Sequence, residues 1–99
     1  MAKKIGIGEA SKFYDETMIV TGKVVQVTVR PTITFINLDQ AGPTAPFSVV
    51  IFPENMGKFE DLQKLQGQDV EITGTIQEYR NKPEIILELA DQVKVMDGK

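Results

Sequence analysis

The feature that most constrains this chain is a strand design that occurs in it twice. Residues 17–29 are dominated by Val, Ile and Thr, β-branched side chains that suit a pleated surface, and alternation puts Met18, Val20, Gly22 and Val24 on one face. Residues 69–79 repeat the pattern: Val70, Ile72, Gly74 and Ile76 follow the same spacing, and Thr73-Gly74 mirrors Thr21-Gly22. A glycine in mid-strand weakens a flat ribbon but permits a sharp bend. Two long strands that both bend suit a small closed barrel, in which each belongs to both halves.

The remaining elements fit between and around these two. Arg30-Pro31-Thr32 ends the first strand, because proline has no N–H to give to the ladder. A second strand spans residues 33–38, with Thr34, Ile36 and Leu38 on one side and Ile33, Phe35 and Asn37 on the other. Residues 39–46, with Gly42, Pro43 and Pro46, read as a hairpin loop, and the third strand, 47–52, is stopped by Pro53. Met56, Phe59, Leu62 and Leu65 recur between Asn55, an N-cap residue type, and Gly67, a C-terminal cap, which predicts a short amphipathic helix weakened by Gly57. Arg80-Asn81-Lys82 makes a tight turn into a fifth strand at 83–89, continued by residues 92–95. Ahead of the first strand, residues 8–14 predict a helical turn that lays Ala10, Phe13 and Tyr14 on the barrel, with frayed residues before it. The expectation is a single domain over 1–99, all-β, with a barrel over about 17–95 and one short helix between strands three and four.

Composition removes most chemistry. The 99 residues contain neither Cys nor His, so disulfides, thiolate or imidazole metal sites and Ser-His or Cys-His nucleophiles are excluded. The pairs Asp15-Glu16 and Glu60-Asp61 are adjacent in sequence and lie outside any apolar run, so they read as solvated surface rather than catalytic dyads. No enzyme and no cofactor is expected. Apolar runs of three or four residues, such as Val49 to Phe52, fall far short of the roughly 20 that span a bilayer, and the N-terminus lacks the apolar core of a secretory signal. A cytoplasmic protein without membrane association is the expectation. The net charge of −3 and pI near 4.9 weigh against tight nucleic-acid binding, which phosphate neutralisation usually drives.

The order β-β-β-α-β-β with a kinked first strand resembles the OB-fold, a five-stranded Greek-key barrel. More narrowly, residues 20–24, 34–38, 47–52 and 79–85 resemble small bacterial OB domains related to the anticodon-binding domains of class II aminoacyl-tRNA synthetases. Asp39-Gln40 stands where synthetases often carry an Arg-Asp pair. The resemblance implies a binding face on strands two and three, flanked by the loops between strands one and two and between strands four and five. It also implies an outward-facing Phe35 able to stack on a base.

Alternation by itself sends Phe35 and Asn37 outward if Ile36 and Leu38 point in, and it groups Ser48, Val50 and Phe52 on the outer side of strand three. Phe35 then either stacks on a base or packs against a loop, and Phe52 either extends the platform or covers the barrel bottom beside the helix. Lys23, Arg30 and Thr32 on one side and Tyr79, Arg80, Asn81 and Lys82 on the other supply cations and polar groups around the same face. Taken singly, Arg80 and Lys82 are ordinary turn residues. Together with Phe35, Asn37 and Ser48 they define a candidate site for single-stranded nucleic acid, DNA or RNA. The alternative is a barrel that holds another protein, or a second copy of itself, through a strand edge or an apolar outer face.

Overall fold

The computed structural model describes residues 3–39, 46–59, 62–79 and 81–96. Its strands are β1 (Lys3–Gly6), β2 (Thr17–Val29), β3 (Thr34–Leu38), β4 (Ser48–Ile51), β5 (Asp69–Tyr79), β6 (Lys82–Leu87) and β7 (Val93–Val95). Strands β2, β3, β4, β6 and β5 pair in that order, and β5 returns to β2 to close a five-stranded barrel. The fold is an all-β OB barrel. Among the described residues no helix is long and apolar enough to cross a membrane.

The two glycine-centred strands do what their sequence predicts. In β2, residues 17–23 pair with β5 and residues from Val24 onward pair with β3. In β5, residues 69–75 take part in the ladder with β2, while Ile76 and beyond pair with β6. Each change of partner falls two residues after the glycine. The glycines also make room for neighbours: a Cβ on Gly22 would meet the Ile7 side chain at 3.1 Å, and one on Gly74 would meet Ile85 Cγ2 at 2.6 Å.

Val20, Val24, Ile36, Leu38, Phe47, Val49, Ile51, Val70, Ile72, Ile76, Ile85 and Leu87 are fully buried and form the core. Thr34 lies among them, and its hydroxyl has no hydrogen-bond partner. A buried unpaired hydroxyl is a desolvated group without compensation, whereas valine has the same shape. Thr34→Val is therefore expected to stabilise the fold by about 1 kcal/mol, seen as a raised Tm. A loss of stability would show that the hydroxyl is paired in solution.

Two expectations need correction. The segment ahead of Gly8 is not frayed: Lys3–Gly6 runs parallel to β2, with Ile5 and Ile7 buried, before a 3-10 helix at Ile7–Lys12. The helix between strands three and four is not continuous either. One α-helical turn, α1 (Pro53–Met56), is capped by Phe52 rather than Asn55, and a separate 3-10 turn follows at Leu62–Leu65. Met56, Phe59, Leu62 and Leu65 still pack against the core. A spacing of three residues is also the repeat of a 3-10 helix, and Leu62 and Leu65 lie in one while Met56 ends the α-helical turn. Residues 39–46 and the pair Glu60-Asp61 fall wholly or largely outside the described residues.

Candidate nucleic-acid interface

A groove of about 590 Å³ crosses the outer face of β2, β3, β4 and β6 between the two hairpins. How β2 contributes to it depends on a bulge. Val24 pairs with Leu38, yet Gln26 already pairs with Asn37, so one residue is inserted at Val25 and the alternation reverses phase. Before the bulge Met18, Val20 and Val24 point inward; after it Val27 is buried while Gln26, Thr28 and Arg30 line the groove.

Across the strands these side chains form a row. Gln26 is opposite Asn37, Asn37 opposite Ser48, Ser48 opposite Glu84, and Glu84 opposite Gln77. Asn37 Nδ2 donates to Gln26 Oε1 at 3.0 Å, and Ser48 Oγ donates to Asn37 Oδ1 at 2.9 Å. Asn37 is buried and uses both ends of its amide within the row. It ties Gln26 on β2 and Ser48 on β4 into one hydrogen-bonded row across three strands.

Phe35 stands beside this row, between Thr28 on β2 and Val50 on β4. It lines the groove and is half-buried, outside the core cluster. Val50 points outward, as alternation predicts, but is only 2% exposed, flanked by Phe35 and Ile86. Phe52 does not line the groove and instead occupies the N-cap position of α1, without a side-chain cap bond.

The hairpins supply the rim. Arg30 N donates to Ile33 O at 3.0 Å and Ile33 N to Arg30 O at 3.3 Å, closing a tight turn around Pro31-Thr32. Asn81 turns β5 into β6 at φ 66°, a left-handed conformation that Asn tolerates better than most residues. These turns bring Arg30, Tyr79 and Lys82 to the groove, and Tyr79 is 53% exposed. Pro83 also lines it. Glu84 lies on its floor, where burial pushes the carboxyl pKa upward.

The structure thus gathers Arg30, Phe35, Asn37, Ser48, Tyr79 and Lys82 into one groove. Lys23 does not belong to it: it precedes the bulge, pairs with Asp69 across β5, and its backbone N–H donates to Asp39 Oδ1. Thr32 and Asn81 sit exposed in the turns without lining the groove, and Arg80 lies outside the described residues. Gln26, Thr28, Pro83 and Glu84 were not expected from sequence. A signal for the first two exists, since the apolar positions switch from Met18, Val20 and Val24 to Val25, Val27 and Val29.

No family model matches the sequence, and no curated protein is significantly similar to it. Solved structures share its fold. A segment of the asparaginyl-tRNA synthetase from Pyrococcus horikoshii superposes with a TM-score of 0.65 and 16% identity, covering 97% of this chain and 23% of that one. The aspartyl-tRNA synthetase from Entamoeba histolytica gives 0.65 and 14%, covering 95% and 21%. This chain therefore spans about a fifth of the length of these synthetases. An OBody, AM1L10, bound to hen egg-white lysozyme matches over nearly its whole length, with a TM-score of 0.62, 17% identity, and coverage of 94% and 92%. Identities this low show a shared OB-fold and nothing finer.

Proposed function

We propose that this chain is a non-catalytic OB module that binds single-stranded nucleic acid in the groove of β2, β3, β4 and β6. The observation that carries the reading is the half-exposed Phe35 beside a preorganised row of amide and hydroxyl groups, with Arg30 and Lys82 at the rim. An aromatic face stacks on any base, and cations along a groove follow the backbone, so such a surface suits an unpaired strand more than a duplex. The synthetase neighbours agree with this reading, because proteins of that name act on RNA.

Binding by the isolated chain is expected to be weak, since its net charge is −3. With two cations facing the ligand, affinity for a single strand should fall about sevenfold between roughly 50 and 200 mM salt. Fluorescence anisotropy with a labelled oligonucleotide measures this directly. Salt-independent binding would remove the phosphate contribution on which the proposal rests.

A protein-binding or self-associating barrel is the second reading, favoured by the acidic charge and by the OBody neighbours named as bound to lysozyme. It predicts no oligonucleotide binding at all at low salt.

A further inference from the structure

The groove holds a carboxylate where a polyanion would lie. Glu84 is on β6 between Ser48 of β4 and Gln77 of β5, and neither is a cation. Among the described residues its carboxylate has no hydrogen-bond or ion-pair partner. The charged or titratable groups that share the groove with it are Arg30 of the β2–β3 hairpin, Tyr79 of β5 and Lys82 of β6 itself, while β3 contributes only Phe35 and Asn37. The 3-10 helix at Ile7–Lys12, which also packs against β6, buries Ile7 and Ala10 in the core and leaves Glu9 and Lys12 exposed.

Resting on the reading above, we propose that Glu84 makes the groove's affinity for single-stranded nucleic acid proton-dependent: ionised, it opposes the phosphate backbone, and once it has taken a proton from solvent it no longer does. Burial already disfavours the charged form in the free protein, so the carboxyl gives up its charge at higher pH than an ordinary glutamate. Phosphates brought alongside push in the same direction, so the bound state holds more protons than the free state in this window. By linkage, affinity rises as pH falls through the raised pKa. The chain has no histidine, which removes the side chain that most often titrates between pH 5 and 8.

The test uses labelled oligothymidylate, whose bases do not titrate in this range, at constant ionic strength. The unmodified chain is expected to bind about fivefold to tenfold more tightly at about pH 5 than at about pH 7.5. Glu84→Gln keeps the size and polarity of the side chain, and should bind more tightly than the unmodified chain at the higher pH and lose most of the pH dependence. A carbon-13 titration of the Glu84 carboxyl should show its midpoint above that of an ordinary glutamate and moving higher when oligothymidylate is added. Binding with no pH dependence, or a pH dependence that survives in Glu84→Gln, overturns the gate and leaves the nucleic-acid reading standing. Absence of binding at either pH overturns both.

Discussion

Phe35→Ala is expected to weaken binding of a single-stranded oligonucleotide by about 1 to 3 kcal/mol, a loss of roughly fivefold to 150-fold. The ring is on the outer face of β3, half-buried against Thr28 and Val50, and takes no part in the core cluster. Its removal deletes a stacking surface while leaving Thr34 and Ile36, the inward residues on either side, in place. Phe35→Trp, which retains an aromatic face, should bind within a few-fold of the unmodified chain. Anisotropy titrations of the three proteins, with thermal unfolding to confirm that each is folded, separate the alternatives. If alanine lowers Tm but not affinity, Phe35 serves only to cover Val50.

The second large effect concerns the barrel itself. Gly74→Ala is expected to destabilise the fold by about 1 to 3 kcal/mol, which for a domain of this size lowers Tm by roughly 10 °C or more at the upper end. The added Cβ would stand 2.6 Å from Ile85 Cγ2 and 3.3 Å from Gln92 Nε2, and neither neighbour can retreat easily. Ile85 is fully buried and β-branched, so its χ1 is restricted. The Gln92 amide accepts from the N–H groups of Glu88 and Leu89 and donates to Thr73 O, tying the end of β6 to β5. Gly22→Ala is the informative comparison. There the nearest atoms, at 3.1 Å, are the outer carbons of Ile7 in the N-terminal segment, so a smaller loss is expected. Equal losses at both positions would mean that the glycines serve the bend alone and not the packing.

That pairing of glycines was the most legible part of the fold, because strand propensity, alternation and a central glycine are all local signals. What the sequence did not disclose depended on distant partners. Lys3–Gly6 is short and begins with two lysines, and it becomes a strand only because β2 offers it an edge. The Met56 to Leu65 series identifies side chains that pack, partly buried, against the core, but not the backbone joining them, because a spacing of three fits a 3-10 turn as well as a weak α-helix.

The site divides in the same way. Phe35 and the turn residues Arg30 and Lys82 follow from strand alternation and loop position, and all three line the groove. Lys23 was misplaced because the bulge at Val25 separates it from the face that Gln26 and Thr28 share. Asn37 could be placed on the right face from sequence but not given its role, which is set by Gln26 and Ser48 on two other strands. Glu84 precedes the inward Ile85, so its outward direction is readable, whereas its place in the groove requires the pairing of β6 with β4.

The most direct test of the nucleic-acid reading is a titration of isotope-labelled protein with a mixed-sequence single-stranded oligonucleotide at low salt, followed through backbone amide shifts. Saturable shifts are expected at Thr28, Arg30, Phe35, Ser48, Tyr79 and Lys82, shrinking as salt is added, with β1 and β7 unmoved. No movement at millimolar oligonucleotide, or shifts confined to β1, β7 and the exposed Leu89, Val95 and Met96, would contradict it and direct attention to a protein partner.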